Sequence, residues 1–236
     1  MENMELMSNR PNVLMFPWLA HGHVSSFLEL AKKLSQRNFD ICICSTPMIL
    51  SLIKESHGKN NNLPSIKLIE LNLPSNIPEF PPEYHTTKVL PRHLVPKLVE
   101  AFNMAATSFY DIIKIHNPDL LIYDHFQLWA PEIASLHNIP SVHFCVIGAV
   151  TMSFASHHVL FKDKSFPHPA IYLMDFEKKN QRIAMQSSIK LVDKEFPCGS
   201  MKRSCDIVLI NSCREIEGKY IDYLSELSGK KVLNCV

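Results

Sequence analysis

The chain has 236 residues, of which 46% are hydrophobic and 20% are charged, and its formal net charge is +1. This composition is typical of a globular protein with enough apolar residues for a substantial core. A net charge so close to zero gives no reason to expect nucleic acid or an anionic membrane as a partner.

The N-terminal segment and the cysteines narrow the class of protein further. Residues 1–11 have neither a basic region nor an apolar core, so we expect no secretory signal. No apolar run approaches the roughly 20 residues of a membrane-spanning helix. The seven cysteines form no CxxC pair, and the histidines show no metal-binding spacing such as HExxH. We therefore expect a cytoplasmic protein with no metal site.

The first predicted unit is a strand, a tight turn and a helix. An apolar run from Asn12 to Phe16 predicts a buried strand, and apolar residues at helical spacing follow from Val24 to Leu34. Such a unit opens a doubly wound α/β sheet, in which ligands bind at the turn. Because Gly22 is the only glycine of this turn, the pattern that cradles a dinucleotide pyrophosphate is missing.

The alternation of strands and helices continues along the chain. Further strands are predicted at residues 39–45, 66–71, 119–123, 139–144 and 206–210, and residues 230–236 resemble the beginning of another strand. Helices are predicted at residues 48–55, 94–115, 129–137, 148–161, 176–185 and 216–227. Five prolines between residues 73 and 91 exclude a regular helix there and predict an ordered, functional loop. The pattern as a whole predicts an α/β fold with a Rossmann-like doubly wound, mostly parallel sheet flanked by helices.

Two polar residues follow strands that are neighbours in such a sheet. With the strand order 3-2-1-4-5, His23 after the first strand and Asp124 after the fourth meet at one edge. A helix N-terminus disfavours an imidazolium, so the ring of His23 is predicted to be neutral and able to accept a proton. An aspartate that accepts the Nδ1–H fixes the tautomer and stabilises the cation formed on proton uptake. A pair of this kind, without a nucleophile between its members, suits the activation of a substrate hydroxyl.

Both residues also have a purely structural interpretation. A lone histidine such as His23 is more often a helix cap or a satisfied core residue, and Asp124 is equally suited to cap the helix that begins near Leu128. His21 is either a second imidazole at the cleft or an exposed turn residue. Cys145, just beyond the fifth strand, has no base beside it in the sequence, which favours inert packing over a nucleophilic role.

Aromatic residues near these positions are candidates for an acceptor pocket. Trp18 precedes His23, and Phe126 and Trp129 follow Asp124. Core packing is an equally good interpretation for Trp129.

Three segments together resemble the plant UDP-dependent glycosyltransferases of family 1. They are residues 16–23 (FPWLAHGH), residues 118–124 (PDLLIYD) with Trp129-Ala130, and residues 206–212 (DIVLINS) with Glu215 and Glu217. Residues 83–91 (EYHTTKVLP) resemble the branch that adds a sugar to an existing glycoside, such as the crocetin glucosyl ester and mogroside glucosyltransferases.

The resemblance implies one half of a GT-B architecture, in which two Rossmann-like domains enclose the active site. In that family the N-terminal half binds the acceptor and carries the catalytic His and Asp, whose motif positions fall on His23 and Asp124. The C-terminal half binds the UDP-sugar through a signature that these residues do not contain. The expectation is therefore that residues 1–236 are an acceptor-binding N-terminal domain and that the C-terminal UDP-sugar-binding domain is absent.

The reaction that the resemblance implies is inverting glucosyl transfer from a UDP-sugar, which is a co-substrate rather than a cofactor. The acceptor is expected to be a plant secondary metabolite, such as a flavonoid or terpenoid, or a glycoside of one. The residues expected to bind it are Trp18, His21, Pro81, Phe126, Phe144 and Val146. Family members usually carry Thr or Ser at the position of Val146, where it touches the transferred sugar.

Three hypotheses stay open at this stage. The chain is the acceptor half of a sugar transferase, a truncated and non-catalytic acceptor-binding module, or an unrelated Rossmann-like hydrolase or oxidoreductase. Val146 and the missing signature favour the second hypothesis over the first. The absence of GxGxxG and GxSxG patterns weighs against the third.

Overall fold

The computed structural model describes residues 10–57, 66–74, 77–162, 164–180 and 197–235. Within these residues the strands are β1 (Asn12–Phe16), β2 (Asp40–Ser45), β3 (Lys67–Glu70), β4 (Leu120–Tyr123), β5 (Ser141–Cys145), β6 (Ile207–Ile210) and β7 (Lys231–Asn234). The α-helices whose bounds lie wholly within these residues are α1 (His21–Ser35), α2 (Pro47–His57), α3 (Val95–Met104), α4 (Ala106–His116), α5 (Trp129–Leu136), α6 (Ala149–Leu160), α7 (Cys198–Arg203) and α8 (Arg214–Ser228). The predicted alternation of strands and helices is confirmed.

The strands form a parallel sheet in the order β3-β2-β1-β4-β5-β6-β7. The predicted order 3-2-1-4-5 is confirmed and extends by two strands. Because β2 and β3 lie on one side of β1 and the later strands on the other, the order reverses between β1 and β4. This reversal creates the crevice in which doubly wound sheets bind ligands.

Apolar residues bury both faces of the central strands. The main core surrounds β1, whose residues from Val13 to Phe16 are fully buried. A second cluster packs α6 and α8 against β6, and its buried members include Met152, Ile210 and Ile221. Strands buried on both faces read as continuous apolar runs, which explains why the sequence predicts them well.

The prediction of one long helix over residues 94–115 is wrong, because the structure breaks it into α3 and α4 at Ala105. The backbone tightens there, and the Ala105 N–H donates to the carbonyl of Phe102, three residues back, at 3.2 Å. Phe102 and Phe109 then both contact Phe16, with ring centroids 5.3 and 4.4 Å away. Because the only proline of the predicted helix, Pro96, lies in the first turn of α3, it does not explain the break, and tertiary packing overrides the helical pattern at Ala105.

The proline-dense segment before α3 is ordered where the structure describes it, and a short 3₁₀ helix spans Pro82–Tyr84. The N–H of Thr87 donates to the carbonyl of Leu19 at 2.9 Å, which fastens this segment beside the start of α1. Of the helix predicted at residues 176–185, residues 175–180 are helical and residues 181–185 lie outside the described residues.

Candidate functional site

The site lies where β1 and β4 end side by side. Phe16 and Tyr123 are register partners in the parallel pair, so the chain leaves both strands at the same edge of the sheet. From β1 it passes through Trp18 into α1, and from β4 it passes directly into Asp124. Residues that are far apart in sequence are thereby brought together at the reversal of the strand order.

His23 is the third residue of α1, and its ring approaches the end of β4. Its Nδ1 lies 2.8 Å from Oδ2 of Asp124, so the predicted proximity of these two side chains is confirmed. The helix begins at His21 after Ala20, which has no capping side chain, so His23 is not the helix cap. Its side chain keeps 19% exposure, whereas that of Asp124 is fully buried.

Asp124 is held by three hydrogen bonds. Besides His23, it accepts the N–H of Trp18 at 2.9 Å and the N–H of His125 at 2.6 Å. The alternative that Asp124 caps the next helix is wrong, because α5 begins after Leu128 with no side-chain cap. The carboxylate therefore points at the imidazole and joins the segment after β1 to the segment after β4.

The same three bonds determine the charge of Asp124. Burial raises the pKa of this carboxyl, but the hydrogen bonds from His23, Trp18 and His125 outweigh burial and hold the pKa below its ordinary value. The group is therefore an anion at neutral pH. An anionic acceptor beside Nδ1 fixes the tautomer in which Nδ1 carries the proton and Nε2 is free to accept one.

Phe126 lies between the imidazole and the aromatic core. Its ring centroid is 5.9 Å from that of His23 and 4.7 Å from that of Trp18. Phe126 is half-buried, whereas Trp18 is buried and packs edge-on against Phe102 at 5.1 Å. Of the predicted aromatic acceptor residues, Phe126 is thus the one that touches His23, and Trp18 supports it from behind.

Trp129 belongs to the core. Its indole contacts Phe16, Phe102 and Phe109, and its Nε1–H donates to Asn103 at 3.1 Å. The interpretation of Trp129 as a packing residue is confirmed.

His21 lies on a different side of α1 from His23. Two residues along a helix correspond to a rotation of about 200°, so the two imidazoles project to nearly opposite sides. The exposed His21 lines a groove of about 470 Å³, which is also lined by Val24 and Ser25 of α1, Ile49 and Ile53 of α2, and Lys88. The structure thus separates His21 from the His23–Asp124 pair.

The remaining predicted acceptor residues are spread over two regions. Pro81 is half-buried and accepts the Tyr84 N–H at 2.9 Å in the proline-dense segment. Phe144 is buried in β5, with its ring 5.0 Å from that of Phe27, and it borders a cavity of about 340 Å³ beside α1. Val146 is half-buried against the main core just after β5. Their roles in binding stay predictions.

The structure also bears on the remaining sequence alternatives. Cys145 is buried, and burial raises the pKa of its thiol to about 12, so the inert interpretation is confirmed. All seven cysteines are free thiols.

Among the described residues no group of His, Cys, Asp and Glu has an arrangement that could hold a metal ion. None of the described helices is both long enough and apolar enough to span a bilayer.

Two buried histidines near Asp124 were not anticipated from the sequence. The rings of His125 and His143 lie 5.9 Å apart. Burial lowers the pKa of His125 to about 3 and that of His143 to about 4. The burial of His143 could have been predicted, because it lies between apolar residues in a predicted strand. The signal for His125 was its position directly after Asp124.

Comparison with known proteins shows similarity along almost the whole chain. Residues 10–234 match the family described as "Glycosyltransferase, N-terminal domain". The chain is 45% identical over 230 residues to UDP-glucosyltransferase 29 of Panax ginseng, covering 98% of this chain and 50% of that protein. It is 44% identical over 221 residues to a beta-D-glucosyl crocetin beta-1,6-glucosyltransferase of Gardenia jasminoides, covering 93% of this chain and 49% of that protein.

A solved structure shows the same fold. The Glycyrrhiza uralensis protein UGT73P12, crystallised with glycyrrhetinic acid 3-O-monoglucuronide, superposes with a TM-score of 0.71 at 20% identity. The superposition covers 95% of this chain and 48% of that chain. The chain therefore spans about half the length of the relatives and structures that it matches.

Proposed function

Because the chain belongs to the plant UDP-dependent glycosyltransferases, where it matches the N-terminal domain, we propose that it binds the acceptor and supplies the catalytic base of an inverting sugar transfer. The observation that carries this proposal is the 2.8 Å contact between His23 and Asp124 at the crevice of the sheet. In this proposal the whole chain acts as one acceptor-binding domain, and the UDP-sugar is held mainly by a second domain.

The proposed chemistry follows from the two ends of the imidazole. Nδ1 of His23 donates to the Asp124 anion, and Nε2 accepts the proton of an acceptor hydroxyl while that oxygen attacks the anomeric carbon of the sugar. The bond between that carbon and the UDP oxygen breaks as the new glycosidic bond forms, so the anomeric configuration inverts. Asp124 stabilises the imidazolium that results.

The half-buried ring of Phe126 supports a role in placing the acceptor. It stands beside His23 and is backed by Trp18, so an apolar or aromatic acceptor that packs on it brings a hydroxyl close to Nε2. Four further acceptor contacts stay predictions, and they are Pro81, His21, Phe144 and Val146. In this proposal His21 contacts an acceptor that is large enough to reach around α1.

We propose a glycoside as the acceptor, of the flavonoid or terpenoid class. One relative is named for transfer to glucosyl crocetin, and one similar structure holds a monoglucuronide. The proposed donor is UDP-glucose, with no metal or further cofactor in the reaction. A cytoplasmic location stays a prediction from the sequence.

Val146 favours a second candidate function. Where the family usually has a hydroxyl that touches the transferred sugar, this chain has an apolar side chain. The second candidate is therefore a domain that binds the acceptor without contributing to transfer.

A transfer assay separates the two candidates. The chain is assayed alone, and also joined to the C-terminal half of the similar Panax ginseng enzyme, with UDP-glucose and a panel of glycosides read by mass spectrometry. We expect binding but no product from the chain alone, and product from the joined protein. H23A should lower that product formation about 10²–10⁴-fold, the usual contribution of a positioned base.

The matched control is H116A, which removes an exposed imidazole at the end of α4, just before β4 begins and so at the opposite edge of the sheet from His23. It should leave the rate within a few-fold of the parent. A joined protein that is indifferent to H23A contradicts the mechanism, and a folded joined protein that binds acceptor without any transfer supports the second candidate.

A further inference from the structure

Ser200 of α7 is bonded to the residues on both sides of Asp124. Its Oγ–H donates to the carbonyl of His125 at 2.8 Å. Its own carbonyl accepts the hydroxyl of Tyr123 at 2.5 Å. One buried residue thus makes contact with the last residue of β4 and with the first residue after Asp124.

These contacts are sheltered from water. Ser200 is 1% exposed and Tyr123 is fully buried, so solvent does not replace either bond when it is lost. The Oγ of Ser200 also lies 3.4 Å from Nδ1 of His125, so its hydroxyl faces both the backbone and the ring of that residue. The backbone on both sides of Asp124 is therefore restrained by α7 as well as by the contacts of Asp124 itself.

α7 is itself firmly attached. Ser204, just after the helix, accepts the N–H of His143 in β5 at 2.8 Å and donates to the carbonyl of Ile207 at 2.5 Å. Arg203 pairs with Glu132 of α5 at 3.2 Å. α7 is thus tied to β5, β6 and α5, and Ser200 transmits this support to the end of β4.

We propose that Ser200 is a positioning residue that holds Asp124 at the imidazole of His23. The inference rests on the proposed function, because it assigns importance to the His23–Asp124 contact. When the hydroxyl of Ser200 is removed, the carbonyl of His125 loses its donor and the turn after β4 gains freedom. The carboxylate then spends less time at hydrogen-bonding distance from Nδ1.

The test is an NMR measurement on the full chain with nitrogen-15-labelled histidine. The Nδ1–H proton of His23 is identified by its disappearance in H23Q, and its exchange with water is measured. We expect S200A to speed this exchange about tenfold, the population change that follows the loss of one buried hydrogen bond. S200T keeps the hydroxyl and should restore slow exchange.

S153A is the matched control, because it removes another fully buried hydroxyl, which donates to the carbonyl of Val150 in α6 at 3.1 Å and is bonded to neither neighbour of Asp124. It should leave the His23 signal unchanged. Equal exchange rates in S200A and S153A, or an S200A rate equal to that of the parent, overturn the proposal. If S200A does not fold, Y123F, which removes the other bond to Ser200, decides: faster exchange supports the proposal and unchanged exchange overturns it.

The exchange measurement needs no catalytic activity, so it tests the role of Ser200 separately from the proposed function. A parent protein that shows the protected Nδ1–H but no transfer after joining to a donor half contradicts the proposed function alone. A transferring enzyme whose His23 signal ignores S200A contradicts the role of Ser200 alone.

Discussion

Nδ1 of His23 lies 2.8 Å from Oδ2 of Asp124, although the two residues are 101 positions apart in the sequence. The parallel pairing of β1 with β4 produces this contact, because it ends both strands at one edge of the sheet. The same carboxylate accepts the N–H of Trp18, so the pair is fixed in the backbone as well as between side chains. Asp124 is consequently both a proposed functional residue and a structural junction, meaning that its carboxylate joins the segment after β1 to the segment after β4.

The contribution of Asp124 to the stability of the fold is testable by removing its side chain. D124A leaves the buried N–H groups of Trp18 and His125 without an acceptor, which should lower the free energy of unfolding by about 2–5 kcal/mol. Urea denaturation measures the loss. D222N is the control, because Asp222 pairs with Arg214 on the surface at 2.7 Å and should cost at most about 1 kcal/mol. Equal losses in the two variants would show that Asp124 is not a junction.

Acid should destabilise the fold through His125 and His143. Burial lowers the pKa of His125 to about 3 and that of His143 to about 4, while both titrate near 6.5 in the unfolded chain. The unfolded state therefore binds more protons in this interval, so stability is full above pH 6.5 and falls as the pH drops toward 4 and 3. The lowered pKa of Asp124 adds a further loss below about pH 4.

Urea unfolding midpoints at pH 7, 6 and 5 measure this dependence. H143L removes one of the two buried imidazoles and should make the decline between pH 7 and pH 5 shallower. H93Q, a change at an exposed histidine, should leave the slope as it is. A parent protein equally stable at pH 7 and pH 5 would be incompatible with neutral buried histidines.

Phe126 should contribute to acceptor binding. F126A removes the ring that stands between Trp18 and His23, and the loss of one aromatic contact should weaken binding of a glycoside about 3–10-fold. Calorimetric titration of the chain with glucosyl crocetin measures the change. F161A is the control, because Phe161 is 37% exposed at the end of α6. An affinity that falls equally in both variants would remove Phe126 from the proposed pocket.

Val146 offers a gain-of-function test. V146T introduces the hydroxyl that the family usually places there and should raise glucose transfer by the joined protein about 3–10-fold, equivalent to one neutral hydrogen bond to the sugar. V150T, a second change of a half-buried valine close by in the first turn of α6, should have no such effect. A V146T enzyme no faster than the parent would show that this hydroxyl is not limiting.

The strands were the most predictable part of the fold. β1, β2 and β5 are buried along nearly their whole length, and such strands appear in the sequence as unbroken apolar runs. The break at Ala105 was not predictable, because residues 94–115 keep a helical pattern throughout. It depends on how Phe102 and Phe109 both reach Phe16, which is a contact between distant parts of the chain.

His23 and Asp124 were predictable for a different reason. The alternation of strands and helices fixes the topology, and the topology fixes which strand ends are neighbours. Even so, the sequence left the capping role of Asp124 open. Only the tertiary structure shows that its carboxylate accepts hydrogen bonds from His23, Trp18 and His125 and that α5 begins without it.

The sequence by itself thus determined the α/β fold class, the parallel sheet and the two residues that meet at its crevice. These features depend on the local periodicity of apolar residues, which the sequence displays directly. They also depend on general rules for connecting parallel strands, which need no tertiary structure. The tertiary structure decided that His21 and His23 serve different sides of α1, that Trp18 is buried behind Phe126, and that Ser200 supports Asp124. Those relationships depend on distances through space between residues whose sequence separation carries no information about them.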